Sequence, residues 1–272
     1  MPMRPCGFLA SLLLAALTGC QQHPPANDQL DAVLWTQTSI EHELIYRQVF
    51  AAATRQLQTA LGDPAWDALA QAPRELHGLP PALIVDIDET LLDNTSLNAH
   101  AIVADQPYDY GLWNQWVEDA RAPALPGALE FIQAAVRLGI KPYYLTNRSH
   151  GQEQATLANL QRAGFPIAGS EQILTAGTPT GGCQASGSDK TCRRQWVGSR
   201  ARVLMLVGDF IEAPNSLAAG RDAAAPYLAW LGQRWFLLPN PTHGGWYSAP
   251  YQDREALPLP RKRALKQQAL RR

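Results

Sequence analysis

Neither sign of charge dominates this chain. Its 23 Lys and Arg against 24 Asp and Glu leave a formal net charge of −1 at pH 7, which argues against the basic excess of a nucleic-acid binder. No internal repeat is visible, and no apolar run has the length of a transmembrane helix. The stretch Phe8–Leu17, after Arg4, is too short to span a bilayer comfortably. Cysteine is scarce, with 4 in the whole chain, and the spacing of Cys183 and Cys192 in CQASGSDKTC fits no common zinc site. What the chain does have is bulk. With 272 residues and 46% apolar content there is ample core for one elaborated domain or two small ones. Aromatic content is ordinary, but the 8 Trp are many, and several cluster where a ligand could use them.

The N-terminus reads as a secretory signal rather than as fold. FLASLLLAAL ends in LTGC, Leu17–Cys20, a tetrapeptide that resembles a bacterial lipoprotein signal, in which cleavage before the cysteine is coupled to its lipidation. On that reading residues 1–19 are removed, Cys20 carries the lipid, and several acyl chains give a stable membrane anchor. The polar QQHPPANDQ then opens a tether over residues 20–35. Gln21 after the lipidated position resembles lipoproteins sent to the outer membrane, facing the periplasm or the surface. Cys6 leaves with the signal, so Cys183 and Cys192 remain, and in an oxidising compartment a disulfide is expected over two free thiols. A loop that short stabilises by about 2–3 kcal/mol if unstrained.

The remainder alternates helix and strand. Ile40, Leu44, Ile45, Val49, Ala52, Ala53 and Leu57 recur at helical spacing and predict one amphipathic helix over Thr36–Leu61. PPALIVDID, KPYYLTN, RVLMLVGD and RWFLLPN are short apolar runs rich in branched or aromatic residues, the pattern of buried parallel strands. Between them, PGALEFIQAAVRLG and GQEQATLANLQRAG carry helix punctuation at Pro126, Gly139 and Gly164. Strands separated by helices imply right-handed crossovers and an α/β, doubly wound, mainly parallel sheet. The basic run RKRALKQQALRR, residues 261–272, is expected as a solvated helix or tail.

Ligands of such sheets sit at the carboxyl ends of the strands. There the chain places Asp86 and Asp88, then Thr146 and Asn147, then Asp209. VDIDETLLDN gathers four carboxylates, and two of them about 4 Å apart repel by roughly 4 kcal/mol at an effective dielectric near 20. A bound cation is therefore expected. Oxygen-only donors favour a hard one, and a site poor in ligands suits Mg²⁺ completed by water and phosphate oxygens.

At these residues the chain resembles the haloacid dehalogenase (HAD) superfamily, and within it the class C acid phosphatases, which include bacterial outer-membrane lipoproteins. The resemblance runs from about Thr36 to Tyr251 and is carried by DIDETLLDN, YYLTNR, SDKTCRRQ and LVGD in order, with LLPNPTHGGW and YDYGLWNQWV as further blocks. It implies a HAD-like, Rossmann-type core over residues 36–260 with a small helical cap insertion at about 94–125. It also implies roles. Asp86 attacks phosphorus and becomes an aspartyl-phosphate, while Asp88 protonates the departing alkoxide and later deprotonates water. Asp86, Asp209 and the backbone carbonyl of Asp88 hold Mg²⁺. Lys190 and the Thr146 hydroxyl hold the equatorial phosphoryl oxygens, and Asn147 and Arg148 shape the pocket.

Blander readings are preferred for some neighbours. Asp93 and Asn94 are expected to cap a helix beginning near Thr95. Glu89 is read as the partner of a nearby cation rather than a metal ligand. Trp116 is expected to fill a core, whereas Trp113 resembles the family's substrate-stacking aromatic. Across the cleft, where relatives often have a tyrosine, this chain has His243, a smaller ring that carries charge near pH 6.5. Relatives also place a second acid where this chain has Ala213, which leaves open whether the adjacent Glu212 substitutes. The expected function is a lipid-anchored, Mg²⁺-dependent acid phosphatase acting on phosphomonoesters, nucleoside monophosphates (a 5′-nucleotidase activity) or similar aryl-like esters, outside the cytoplasm. The alternative is a non-catalytic surface lipoprotein that keeps the scaffold as a ligand-binding or storage module.

Overall fold

A computed structural model describes residues 28–69, 74–106, 109–183, 189–210, 225–252, 254 and 256–271. Residues 1–19, read as a signal peptide, and Cys20, Glu212 and Ala213 lie outside the described residues. No helix among those described is long and apolar enough to cross a membrane.

Among the described residues five parallel strands form one sheet: β1 (Pro81–Asp86), β2 (Lys141–Ser149), β3 (Ile173–Ala176), β4 (Arg202–Gly208) and β5 (Trp235–Leu237), in the order β3-β2-β1-β4-β5. The four expected apolar runs are β1, β2, β4 and β5. β3 is an addition, a short edge strand whose ILTA is too brief to stand out from a buried helical turn. The strand order reverses around β1, so the carboxyl ends of β1 and β4 open onto the crevice where such sheets take their ligands.

Strand periodicity of two feeds two cores. Leu83 and Val85 of β1 face a cluster with Tyr46, Phe50 and Leu57 of α2 (Ile40–Gly62), Phe131 and Ile132 of α5 (Ala128–Arg137), and Leu160 of α6 (Glu153–Arg162). Ala82 and Ile84 face the opposite cluster, which takes in Val197 of α7 (Thr191–Gly198) and Trp235. The sheet is therefore covered on both sides. Where β1 and β4 shift register between Ala82 and Leu83, the Leu204 carbonyl accepts from Trp66 Nε1 at 2.8 Å, so the irregularity leaves that acceptor paired.

The expected single helix over Thr36–Leu61 is two. α1 (Leu30–Thr38) ends at Ser39, whose extended backbone and Oγ, accepting from His42 N at 3.1 Å, start α2. Thr36 and Thr38 bond back to the carbonyls of Ala32 and Leu34, which weakens the end of α1. Helix thus begins inside the stretch read as tether. In the first half of α2 the buried stripe is rotated from the expected one, while Ala53 and Leu57 further on are buried as expected. His42, Tyr46 and Phe50 stack at centroid distances of 4.5 and 6.4 Å and turn inward, leaving Ile40 and Leu44 exposed. The cap insertion is helical, with α3 (Thr95–Val103) and α4 (Tyr110–Asp119). After the short α8 (Gly245–Ser248), the basic run is α9 (Leu259–Ala269). It is not a free tail: Lys266 Nζ lies 3.2 Å from the Tyr247 ring centroid, and Arg263 pairs with Asp28.

Candidate active site

Asp86 ends β1 with one carboxylate oxygen, Oδ1, taking the Ile87 amide at 2.8 Å and Lys190 Nζ at 2.5 Å. Lys190 is the residue at the N-terminal end of α7, nearly buried, and it reaches Asp86 across 104 positions of sequence. Two residues later Cys192 pairs with Cys183, with Cα atoms 5.6 Å apart, so the lysine sits inside a disulfide-closed loop. Arg193 fastens α7 to the sheet by donating to the carbonyls of Thr146 and Leu174 and to Asn147 Oδ1. Asn147, exposed at the end of β2, is therefore held from the side by an arginine that composition alone did not single out.

After Asp86 the chain turns tightly around the buried Ile87, whose carbonyl accepts the amides of Leu91 and Leu92. Glu89 adopts φ 54°, a left-handed conformation unusual for this residue, and its carbonyl accepts from Tyr46. That turn delivers Asp88 to a fully engaged position. Asp88 Oδ1 accepts from Arg148 Nη2 at 2.8 Å and from Asn94 Nδ2 at 3.1 Å; Oδ2 accepts from Thr146 Oγ1 at 2.9 Å. Burial alone would raise the Asp88 carboxyl, but Arg148, joined by the hydrogen bonds from Thr146 and Asn94, outweighs it and holds it below the usual Asp value.

Asp209, just beyond β4, is positioned from both ends. Its amide donates to Thr90 Oγ1 at 3.0 Å, and its Oδ2 accepts from Asn240 Nδ2 at 2.8 Å. The preceding Gly208 allows the close approach, since a Cβ there would lie 3.3 Å from the Asp86 Cβ. Burial, and then the charge of Asp86, push the Asp209 carboxyl up to about 7. Glu89 is pushed well above its ordinary value by burial and by Asp88 and Asp209. The carboxylates thus exceed the cations that neutralise them: Asp86 has Lys190 and Asp88 has Arg148, while Asp209 and Glu89 have no such partner among the described residues.

That imbalance is what a divalent cation between Asp86 and Asp209 would relieve, and the oxygen donors suit Mg²⁺. Among the described residues no three His, Cys, Asp or Glu side chains converge on one point. In the set of Asp86, Asp209 and the Asp88 carbonyl, two ligands would be side chains and the third a backbone oxygen.

A family model described as HAD superfamily, subfamily IIIB (Acid phosphatase), matches residues 23–246. The chain belongs to that family. The class C acid phosphatase from Bacillus anthracis superposes on this acid phosphatase family member with a TM-score of 0.76 at 29% identity, over 90% of this chain and 97% of that one. Another structure of the Bacillus anthracis protein has tungstate bound. Acid phosphatase 1 of Solanum lycopersicum is 38% identical over 82 residues, 30% of this chain and 32% of that protein. Vegetative storage protein 2 of Arabidopsis thaliana is 35% identical over 82 residues, 30% of this chain and 31% of its own length. The match to these plant relatives spans about a third of their length.

Within this HAD-like fold the structure brings Asp86, Asp88, Thr146, Arg148, Lys190 and Asp209 together. Several details depart from the sequence reading. Asn94 makes no cap for α3; Asp93 supplies that, accepting from the Thr95 amide at 2.8 Å, while Asn94 turns to Asp88. Trp116, expected as core filling, packs on the core and also donates Nε1 to Asn94 Oδ1 at 2.8 Å. Glu89 has no paired cation among the described residues. Arg148 and the Thr146 hydroxyl, both expected at the site, donate to the Asp88 carboxylate. Trp113 lies over Arg148, with the guanidinium carbon 5.8 Å from its ring centroid, and His243 is exposed with its amide donating to Asn240 Oδ1. Asn240 escaped notice although it stands at a visible place, the end of an apolar strand in LLPNP, where a polar residue before a turn commonly meets a site.

Proposed function

We propose that this chain is a Mg²⁺-dependent phosphomonoesterase that works through an aspartyl-phosphate on Asp86. The observation that carries the reading is the pairing of Lys190 Nζ with Asp86 Oδ1, with Asp88 two residues on and separately held by Arg148. One carboxylate is thereby kept next to a cation that attracts a phosphate dianion, and the other is kept for protons. In the first step an Asp86 oxygen bonds to phosphorus as the ester oxygen leaves with the bonding pair and takes a proton from Asp88. In the second, Asp88 takes a proton from water as the water oxygen bonds to phosphorus, and Asp86 leaves as carboxylate with release of phosphate. Lys190 holds the equatorial oxygens, and Thr146 joins it by exchanging its bond to Asp88 for one to the phosphoryl group. Asp86, Asp209 and the Asp88 carbonyl would hold Mg²⁺, which supplies charge to offset the repulsion between carboxylate and phosphate.

Trp113, like the family's substrate-stacking aromatic, and His243, where relatives often have a tyrosine, are proposed to stack an aryl or nucleobase group, the basis for proposing nucleoside monophosphates or similar esters as substrates. The LTGC tetrapeptide supports a lipid on Cys20 that would anchor the enzyme in the cell envelope; detergent-phase partitioning that survives Cys20→Ser would remove the anchor from the proposal. A storage or binding role is the second reading, supported by the likeness to a vegetative storage protein. Retention of both Asp86 and Asp88 favours catalysis. Phosphate release from p-nitrophenyl phosphate, abolished by EDTA and restored by Mg²⁺, separates the two; no release with Mg²⁺ present would leave the binding role.

A further inference from the structure

Asp88 is held from more directions than proton transfer by itself requires. Besides Thr146, it accepts from Arg148 Nη2 at 2.8 Å, Arg148 Nε at 3.1 Å and Asn94 Nδ2 at 3.1 Å. Two of these donors lead back to one element. Asn94 Oδ1 accepts from Trp116, and Arg148 lies beneath the ring of Trp113. Trp113 and Trp116 are three residues apart on α4 and so share a face of that helix. The cap insertion therefore touches the Asp88 carboxyl by two side-chain routes.

The Arg148 side chain has no solvent exposure, and its Nη1 is buried without a hydrogen-bond partner among the described residues. A buried donor left unpaired is costly, so the guanidinium is oriented for Asp88 rather than for its own satisfaction. Its fork fixes the plane of the carboxylate in a way that a single ammonium cannot. We propose that Arg148 and Asn94 are positioning residues for the acid/base step, and that α4 sets the direction of the Asp88 carboxyl through Trp113 and Trp116. The proposal rests on the reading of Asp88 as the group that protonates the leaving oxygen. Misplacing a reacting group by about 1 Å can cost on the order of 100-fold in rate, enough for these contacts to be decisive.

The test compares kcat/KM for p-nitrophenyl phosphate, whose phenolate leaves unaided, with kcat/KM for glycerol 2-phosphate, whose alkoxide has to be protonated as it leaves. This ratio covers steps only through the first departure, so slow hydrolysis of the aspartyl-phosphate does not blur it. Arg148→Lys keeps the charge and loses the fork; Trp116→Phe keeps a ring and loses one N–H. For Arg148→Lys the expected loss is about 100-fold or more on glycerol 2-phosphate and under about 10-fold on the aryl ester. Trp116→Phe should show the same inequality with smaller losses. Equal losses on the two substrates, or none, would overturn the proposal. If Arg148→Lys does not fold, judged by its thermal transition, Trp116→Phe decides alone. A wild-type protein that hydrolyses neither ester refutes the phosphatase reading and this inference with it, whereas an active wild type with uniform losses refutes only the positioning.

Discussion

Replacing Asn240 by alanine should weaken the proposed Mg²⁺ site without touching the reacting groups. Asn240 Nδ2 donates to Asp209 Oδ2 at 2.8 Å, and its Oδ1 closes the following turn by accepting from Thr242 N, Thr242 Oγ1 and His243 N at 2.8–2.9 Å. Two losses follow from one substitution. Asp209 loses the donor that orients it, and partners of this kind are worth about 10- to 100-fold in metal affinity, or roughly 1.4–2.7 kcal/mol. The turn loses three acceptor contacts, each worth on the order of 1 kcal/mol, so the thermal transition should fall as well. A Mg²⁺ titration of p-nitrophenyl phosphate hydrolysis tells the two apart, because added metal recovers the first loss and not the second. The expected result is a half-saturating Mg²⁺ concentration about 10- to 100-fold higher, with kcat at saturation near that of the wild type. A midpoint unchanged within a factor of about 2, together with a reduced kcat, would show that Asn240 shapes only the turn, and the account of Asp209 would be wrong.

Reduction of the Cys183–Cys192 bridge should lower kcat/KM several-fold by loosening Lys190, which stands two residues before Cys192; unchanged kinetics under dithiothreitol would confine the bridge to stability. Glu89→Gln should stabilise the metal-free protein at neutral pH. Burial and neighbouring carboxylates raise the folded-state value of Glu89 well above 4.5, so the folded chain holds a proton that the unfolded chain releases. Stability is then lost as pH rises from that ordinary value towards the folded one, and glutamine removes this loss while still accepting from the Asn94 amide. In EDTA at pH 7 the variant should melt higher, by about 2–4 °C per kcal/mol recovered. A lower transition would contradict the buried, uncompensated state assigned to Glu89.

The strands that position the site were legible because a strand buried on both faces is a nearly continuous apolar run, as in RVLMLVG. The edge strand β3 was not, since four residues with two bulky aliphatics carry too little pattern. In the first half of α2 the aliphatic spacing pointed to one face while the packed rings of His42, Tyr46 and Phe50 turned inward, because aromatic rings bury more area than Ile40, Leu44 and Ile45, which are left outside. At the site, Asp86, Asp88 and Asp209 could be read from their places after strands, and Lys190 only through likeness to a family motif. The partners of Asp88 could not. Arg148 lies 60 positions away from it and Trp116 acts through Asn94, and pairings of that kind exist only once the chain is folded.

The most direct test of the account is whether phosphoryl transfer passes through Asp86. The enzyme would be mixed with substrate and Mg²⁺, quenched in acid within one turnover, digested, and the peptide containing Asp86 weighed by mass spectrometry. The account predicts a fraction of that peptide heavier by one phosphoryl group, sensitive to mild base, and absent from Asp86→Asn, which should fold normally and release no phosphate. Phosphate release by Asp86→Asn at the wild-type rate, or turnover with the label on another residue, would contradict it.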